Sequence, residues 1–462
     1  MVWWRNGRVK RRGASRARDG TCVEGSGRRS HERTCDGRSG VKEQKGQQGR
    51  LRSDEAEQVL GKGDVKHGLQ AVVIAYACRP GEGSESGAGW EWARAAAEVA
   101  DVTLLAGVHE DRPYVVAEVE RLGLSVTPVW VPLPSWVERI VTVGSEGGFV
   151  HHLMEALRYC LWQVAAAAVL LRLERRGRVD VVHHVTFASD SLPTALVVSR
   201  APVRIWGPVG GVTRTPAALF RYLGVRGSID EMVRVVGTYV SRGVFGNLAA
   251  RRASVVLALN GDVERRFRDI GRRVLVESNT AFRGAPRGLS DDAESGLGKA
   301  PVALYAGRLL PLKGLRLALQ ALQYAPGWRL VILGDGPERE ALRRIALRLG
   351  VETRVELRGT VSRADVLRAL GSADAFLFPS FHDSASAAVA EASALGCPVV
   401  CLDLGGSPAQ AGRNAHVVPV RPAASLPRRI GEALVAISGR GAPDNHLAAE
   451  RIVGVLESLY SG

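Results

Sequence analysis

The run Val302-Ala303-Leu304-Tyr305-Ala306-Gly307-Arg308-Leu309-Leu310-Pro311-Leu312-Lys313-Gly314 decides the fold. Its first five apolar residues, closed by a glycine, read as a strand covered on both faces, the strand type of parallel sheets. A turn punctuated by proline and glycine then leads into a helical pattern. Four more apolar runs follow, from Arg329 to Leu333, Arg354 to Leu357, Ala375 to Phe378 and Pro398 to Leu402, with helical patterns after each of the first four strands. Strands alternating with helices imply βαβ units and parallel pairing.

Toward the N-terminus, the polar, turn-rich stretch from Thr280 to Lys299 reads as a linker. A first alternating series precedes it. Its strands run from Leu69 to Tyr76, Val102 to Leu105, Ser125 to Trp130, Val179 to Val185, Val203 to Trp206 and Val255 to Leu259. The fold class is therefore α/β, with two Rossmann-like doubly wound domains, residues 69–280 and 301–440, joined by the linker 281–300. In the closing segment, 441–462, Asn445 to Tyr460 has the apolar spacing of an amphipathic helix, expected to close the fold on the first domain.

The 462 residues exclude a single small module, and 46% apolar with 24% charged residues excludes global disorder. The net charge of +15 is uneven: residues 1–68 hold 17 Lys and Arg against 9 Asp and Glu, a net of +8. That Arg/Gly/Ser-rich stretch lacks apolar periodicity and is expected to be a disordered extension. It also lacks, after Trp4, the aromatic residues that stack bases, so no nucleic-acid partner is expected. The six cysteines are scattered, which fits neither a disulfide framework nor a zinc site. The N-terminus has no apolar segment of roughly 7 to 15 residues, so a cytoplasmic location is expected. The stretch from Tyr159 to Leu173, with arginines behind it, admits two readings: a buried helix of the first domain, or a segment resting on an anionic membrane.

In open parallel sheets, ligands bind outside the carboxyl ends of the strands. There the second series places Arg308 and Lys313, two cations suited to a diphosphate beside a helix start. Gly334-Asp335-Gly336-Pro337 makes a tight turn. After the fourth strand, Asp383 and Glu391 flank a loop-to-helix junction, whose amides at Ser386 and Ala387 suit phosphate or sugar hydroxyls. Glu391, among alanines and valines, must be paired or ligand-bound. Gly405 and Gly406 permit close backbone approach to a ligand.

Taken in order, Gly307-Arg308 through Lys313-Gly314, Gly334 to Pro337, Ala373 to Ser380, the acidic pair, Gly396 to Val400 and Gly405-Gly406 resemble the donor half of family 4 glycosyltransferases, retaining enzymes of the GT-B fold. The resemblance implies that Arg308 and Lys313 bind the donor diphosphate, Glu391 the nucleotide ribose and Asp383 the donor sugar. Asp383 is one methylene shorter than the family's glutamate, and the glycines that often follow are Ala385 and Ser386. The Gly-rich loop from Ala77 to Trp90, with Gly83 and Gly87, resembles a bacterial subgroup, as do Val181 to Phe187 and Trp206 to Val212. A histidine of this region, His183 or His184, is then expected near the reacting sugar.

The expected activity is transfer of a sugar from a nucleotide-diphosphate sugar to a glycan or lipid-linked acceptor. An epimerase or phosphorylase on the same scaffold, or an inactive sugar-nucleotide binder, are the alternatives. No Asp-x-Asp occurs in the chain, and no metal or other cofactor is expected to be required.

Overall fold

In a computed structural model, which describes residues 68–134, 149–283 and 300–461, the two strand series form two separate sheets. The first contains β1 (Gln70–Ile74), α1 (Ser84–Ala96), β2 (Asp101–Ala106), α2 (Arg112–Leu122), β3 (Val126–Trp130), α3 (Phe149–Arg176), β4 (Val181–His184), β5 (Val203–Val209), α4 (Phe220–Ser241), α5 (Asn247–Arg252), β6 (Val255–Ala258), α6 (Gly261–Phe267) and β7 (Val274–Val276). The second contains β8 (Val302–Ala306), α7 (Leu315–Ala321), β9 (Arg329–Leu333), α8 (Arg339–Arg348), β10 (Val355–Gly359), α9 (Arg363–Ser372), β11 (Ala375–Phe378), α10 (Ala387–Ala394), β12 (Val399–Leu402), α11 (Ser407–Ala411), β13 (Ala415–Val418) and α12 (Leu426–Val435). Helix α13 (Glu450–Tyr460) ends the described chain.

Every strand pair is parallel, and the orders are β3-β2-β1-β4-β5-β6-β7 and β10-β9-β8-β11-β12-β13. Both follow the Rossmann order, and each reverses direction at one place: between β1 and β4, and between β8 and β11. At such a switch point adjacent loops leave in opposite directions and open a crevice. The central strands carry the near-continuous apolar runs expected of strands covered on both faces, so Val73, Ile74, Ala303 and Phe376 are almost fully buried.

Among the described residues, two elements pack into the core of the other domain. Ile452, Leu456, Leu459 and Tyr460 of α13 pack into the first-domain core beside Trp92. In the opposite direction, Tyr222 and Leu223 at the start of α4 join the core of the second domain, and the Tyr222 hydroxyl donates to the Ala423 carbonyl at 3.1 Å.

Three features depart from the sequence reading. β7 and β13 add an edge strand to each sheet, and α11 follows the fifth strand of the second series. Both extra strands are short and partly exposed, with Val276 and Val417 open to solvent, so neither makes a long apolar run. Residues 1–67 and 284–299, on which the expectations of a disordered arm and a linker rest, lie outside the described residues. Among those described, Met154–Arg176 of α3 is long and apolar enough to cross a membrane. Tyr159, Trp162, Ala166 and Leu170 on one face of it are buried in the first domain.

Candidate active site

The loops after β8 and β11 flank the second switch point, and backbone bonds stitch them together. The Phe381 amide donates to the Leu312 carbonyl at 2.8 Å, and the Ser380 hydroxyl to the same oxygen at 3.3 Å. Gly314 makes this approach possible. Its φ of 71° is left-handed, and a Cβ there would strike the Pro379 carbonyl oxygen and the Phe381 ring. The result is that the Lys313 ammonium meets the Asp383 carboxylate, and lies 5.4 Å from the centre of the Phe378 ring.

Arg308 is held from below. The Tyr305 hydroxyl donates to the Arg308 carbonyl at 3.0 Å, and the neighbouring Leu309 amide donates to the Asp335 carbonyl at 3.0 Å. This second bond gives the Gly334 to Pro337 turn its role, which is to brace the cation loop. Burial pulls the Arg308 pKa below its ordinary value. A guanidinium nevertheless keeps its charge at neutral pH. Arg316 and Glu338 form a two-pronged pair, at 2.5 and 2.9 Å, that anchors the start of α7 to that of α8.

Glu391 is buried and paired with Arg363, whose Nε and a terminal nitrogen lie 2.9 and 2.8 Å from one carboxylate oxygen. The partner lies 28 residues upstream, at the first position of α9. Ser362 and Asp365 form a reciprocal capping box that fixes that helix start. Burial raises the Glu391 pKa, and Arg363 opposes the rise. Arg363 also reaches the first domain, donating to the Gly81 carbonyl at 3.3 Å.

Ser386 caps α10 and Ala387 begins it, but the Ser386 amide already donates to the Gln410 side chain. Gly405 and Gly406 stand where the chain approaches closely: a Cβ on either would strike the carbonyl of Asp383 or Ser384. In the first domain, Gly83 caps α1, and Gly87 lies in its first turn under the Glu82 carbonyl, where any Cβ would collide.

His183 and His184 point to opposite faces of β4, and both are buried. His183 lies 2.9 Å from the Gly207 carbonyl and 3.3 Å from the Tyr460 hydroxyl, edge-on to Trp92. His184 lies 3.2 Å from the Tyr159 hydroxyl and 3.0 Å from the Thr186 carbonyl. Burial lowers their pKa values to about 4 and about 3, so both rings are neutral near pH 7. Both rings are buried, the contacts named here are to first-domain groups and α13, and His184 Nδ1 is buried without a partner.

A further cluster, absent from the sequence reading, faces the cleft from the first domain. The loop after β5 runs beside the Asp383–Ser384 segment: Gly210 packs against Ser384, and Asn260 donates to the Ser384 carbonyl at 3.3 Å. Below this loop, Asp190 pairs with Arg242 at 3.1 Å, and Glu231 pairs with Arg234 at 2.8 and 2.7 Å while accepting from the Thr215 amide. Burial raises the Asp190 pKa against the pull of Arg242; burial would also raise that of Glu231, but Arg234 brings it below the ordinary value. Burial, helped by the charges of Arg234 and Lys313 and opposed by that of Glu231, lowers the pKa of His382, next to Asp383, to about 3.

Four polar atoms of this cluster are buried without a hydrogen-bond partner: Asp190 Oδ1, the hydroxyls of Thr213 and Thr215, and His382 Nε2. Native proteins rarely leave such groups unpaired, and each costs about 1–3 kcal/mol. No motif flags residues 190, 213, 215, 231 and 382. Only the inward side of α4 and the cleft bring them together. Among the described residues, no three His, Cys, Asp or Glu side chains converge on a metal position.

Residues 290–434 match the family described as Glycosyl transferases group 1. The lipopolysaccharide core biosynthesis glycosyltransferase LpsE of Rhizobium meliloti is 32% identical over 154 residues, 32% of this chain and 44% of that protein. The D-inositol 3-phosphate glycosyltransferase of Mycobacteroides abscessus is 33% identical over 161 residues, 33% of this chain and 35% of its own length. The chain thus spans less than half the length of either relative. Among solved structures, WaaG, a glycosyltransferase involved in lipopolysaccharide biosynthesis, aligns over 85% of this chain and 96% of its own, at 16% identity and a TM-score of 0.49.

Proposed function

From the premise that residues 290–434 form a group 1 glycosyl transferase domain, we propose that the whole chain moves a sugar from a nucleotide-diphosphate sugar to an acceptor hydroxyl, with retention at the anomeric carbon. The observation that carries this reading is the placement of Arg308 and Lys313 at the second switch point, with the Lys313 ammonium already held against Asp383. A diphosphate entering there replaces one carboxylate by several phosphate oxygens. Asp383, released from Lys313, is then free to accept hydrogen bonds from the sugar.

In this reaction the acceptor oxygen forms a bond to the anomeric carbon as the bond to the diphosphate oxygen breaks. The acceptor proton passes to that leaving oxygen, and no covalent intermediate on the protein is needed. Negative charge grows on the diphosphate as it departs, so the two cations bind the transition state more tightly than the ground state. Glu391 faces the ribose, and the unpaired atoms of Asp190, Thr213, Thr215 and His382 serve the acceptor hydroxyls. The glycan or lipid-linked nature of the acceptor, the cytoplasmic location and independence of a metal belong to the same proposal.

The test is transfer of radiolabelled sugar from a panel of UDP-, GDP- and ADP-sugars to candidate acceptors, in the presence and absence of EDTA. Transfer that survives EDTA and is abolished in Arg308→Ala/Lys313→Ala supports the reading. Sugar turnover that needs no acceptor would favour the epimerase or phosphorylase alternative.

A further inference from the structure

Helix α4 is inside out. A helix on a soluble domain turns its apolar stripe inward, and the first turn of α4 does so, with Tyr222 and Leu223 in the second-domain core. At Gly224 the backbone leaves helical geometry (φ 72°, ψ 172°), and from Val225 onward the faces are exchanged. Glu231 and Arg242 are buried and Arg234 is half-buried, all turned toward the loop after β5. The outer face carries Val225, Ile229, Met232, Val236, Val240 and Val244, at spacings of three and four residues. Val225, Val236 and Val240 are 80, 69 and 72% exposed.

The rod continues through a π-helical turn, Arg242–Gly246, into α5, so the stripe runs about 35 Å from Val225 to Leu248. Ten of the nineteen large apolar side chains exposed among the described residues fall within these 24 positions. Such a concentration differs from the scattered apolar residues of an ordinary surface.

The charges beside the stripe are of one sign. Between residues 214 and 252 the exposed charged side chains are Arg214, Arg221, Arg226, Arg251 and Arg252 against Asp230 alone. In a two-fold contact between copies of this stripe, arginine clusters would face each other with almost no acid to offset them. An anionic lipid surface offers what the stripe and its flanks both lack, acyl chains for the valines and phosphate for the guanidinium groups.

We infer that the outer face of α4 and α5 is a membrane-docking surface that lies in the headgroup region of an anionic bilayer. The same helix then has a lipid side and a side turned to the loop after β5, so docking brings the polar cluster on its inner face to the membrane boundary. This inference rests on exposure and charge and does not depend on the sugar or acceptor.

The test is flotation of the full chain with vesicles of phosphatidylcholine alone and of phosphatidylcholine mixed with phosphatidylglycerol. The full chain is expected to float with the mixed vesicles only. Val236→Asp/Val240→Asp alters two exposed side chains and is expected to weaken flotation about tenfold or more while leaving the melting temperature unchanged. Arg221→Gln/Arg226→Gln is expected to weaken it about fivefold for each charge removed. Failure of the wild-type chain to float overturns the inference. Flotation unchanged in the valine variant also overturns it and assigns binding to the arginine-rich residues 1–67. A wild-type dimer in solution that the valine variant dissolves overturns it as well, giving the stripe to a second copy.

Discussion

The two walls of the cleft differ in the polar atoms they leave unpaired. On the second-domain wall the charges are paired in advance: Lys313 with Asp383, Arg363 with Glu391 and Arg316 with Glu338. On the first-domain wall Asp190 with Arg242 and Glu231 with Arg234 are paired as well, but Asp190 Oδ1 and the hydroxyls of Thr213 and Thr215 are buried without a partner. The difference follows the chemistry proposed for each side. A site for a charged diphosphate can hold a removable internal counterion, which keeps its cations in place without ligand. A site for neutral hydroxyls has no such stand-in, and its donors and acceptors wait unpaired at a cost in stability.

Removing a cation from the second-domain wall should have the largest effect. Lys313→Ala is expected to lower kcat for transfer by about 10²–10³, the loss typical of one preorganised group at a developing anion. The melting temperature should fall as well, because the side chains of Lys313 and Asp383 are only 20 and 14% exposed and the variant leaves the Asp383 carboxylate without its partner. A kcat within a few-fold of wild type would put the diphosphate elsewhere.

Gly314→Ala comes next, acting through the backbone. The left-handed φ and the contact with Pro379 together predict a loss of about 1–3 kcal/mol in denaturant unfolding, with donor binding weakened as Lys313 moves. Unchanged stability would mean that the two loops are not stitched as described.

On the other wall, Thr215→Val sharpens the contrast. Its hydroxyl is buried beside the Glu231 carboxylate without a well-formed hydrogen bond, so its removal should change stability little. The KM for acceptor should rise about tenfold, the loss of one hydrogen bond, with donor affinity intact. A drop in stability with unchanged acceptor KM would make the hydroxyl structural.

The smallest effect lies below the Gly-rich loop, where Asp111 faces Arg79 at 3.5 Å. Burial, partly offset by Arg79, raises its pKa to about 6. The folded chain therefore binds more protons than the unfolded chain between about pH 4 and pH 6. Stability contributed by the protonated carboxyl is present below that window, falls as the pH rises through it, and is level above. Asp111→Asn should flatten this slope in melting curves recorded across the window, and a slope that persists would point to another group. Neither His183 nor His184 titrates near neutrality, so the pH profile of kcat should show no limb near 6.5 from either ring.

How legible each wall was in the sequence follows from how it is built. The second-domain wall is made of short contiguous loops after strands, so Arg308, Lys313 and Asp383 stand next to the apolar runs that announce them. Glu391 could be read as needing a partner, but Arg363 could not be named, because only the capped start of α9 brings it there. The first-domain wall is assembled from a strand end, a loop and the inner face of α4, with no motif joining them. The alternation of faces along α4 was present in the sequence, but nothing there says which face is turned inward. His183 and His184 were marked by type and position, and the structure buries both.

Titration calorimetry of UDP, GDP and ADP against the wild-type chain and Arg308→Ala/Lys313→Ala tests the central claim most directly. The account predicts that at least one nucleoside diphosphate binds the wild type and that the double variant, still folded at the temperature of the titration, loses affinity for it by about a hundredfold or more. Equal affinity of the two proteins would contradict it.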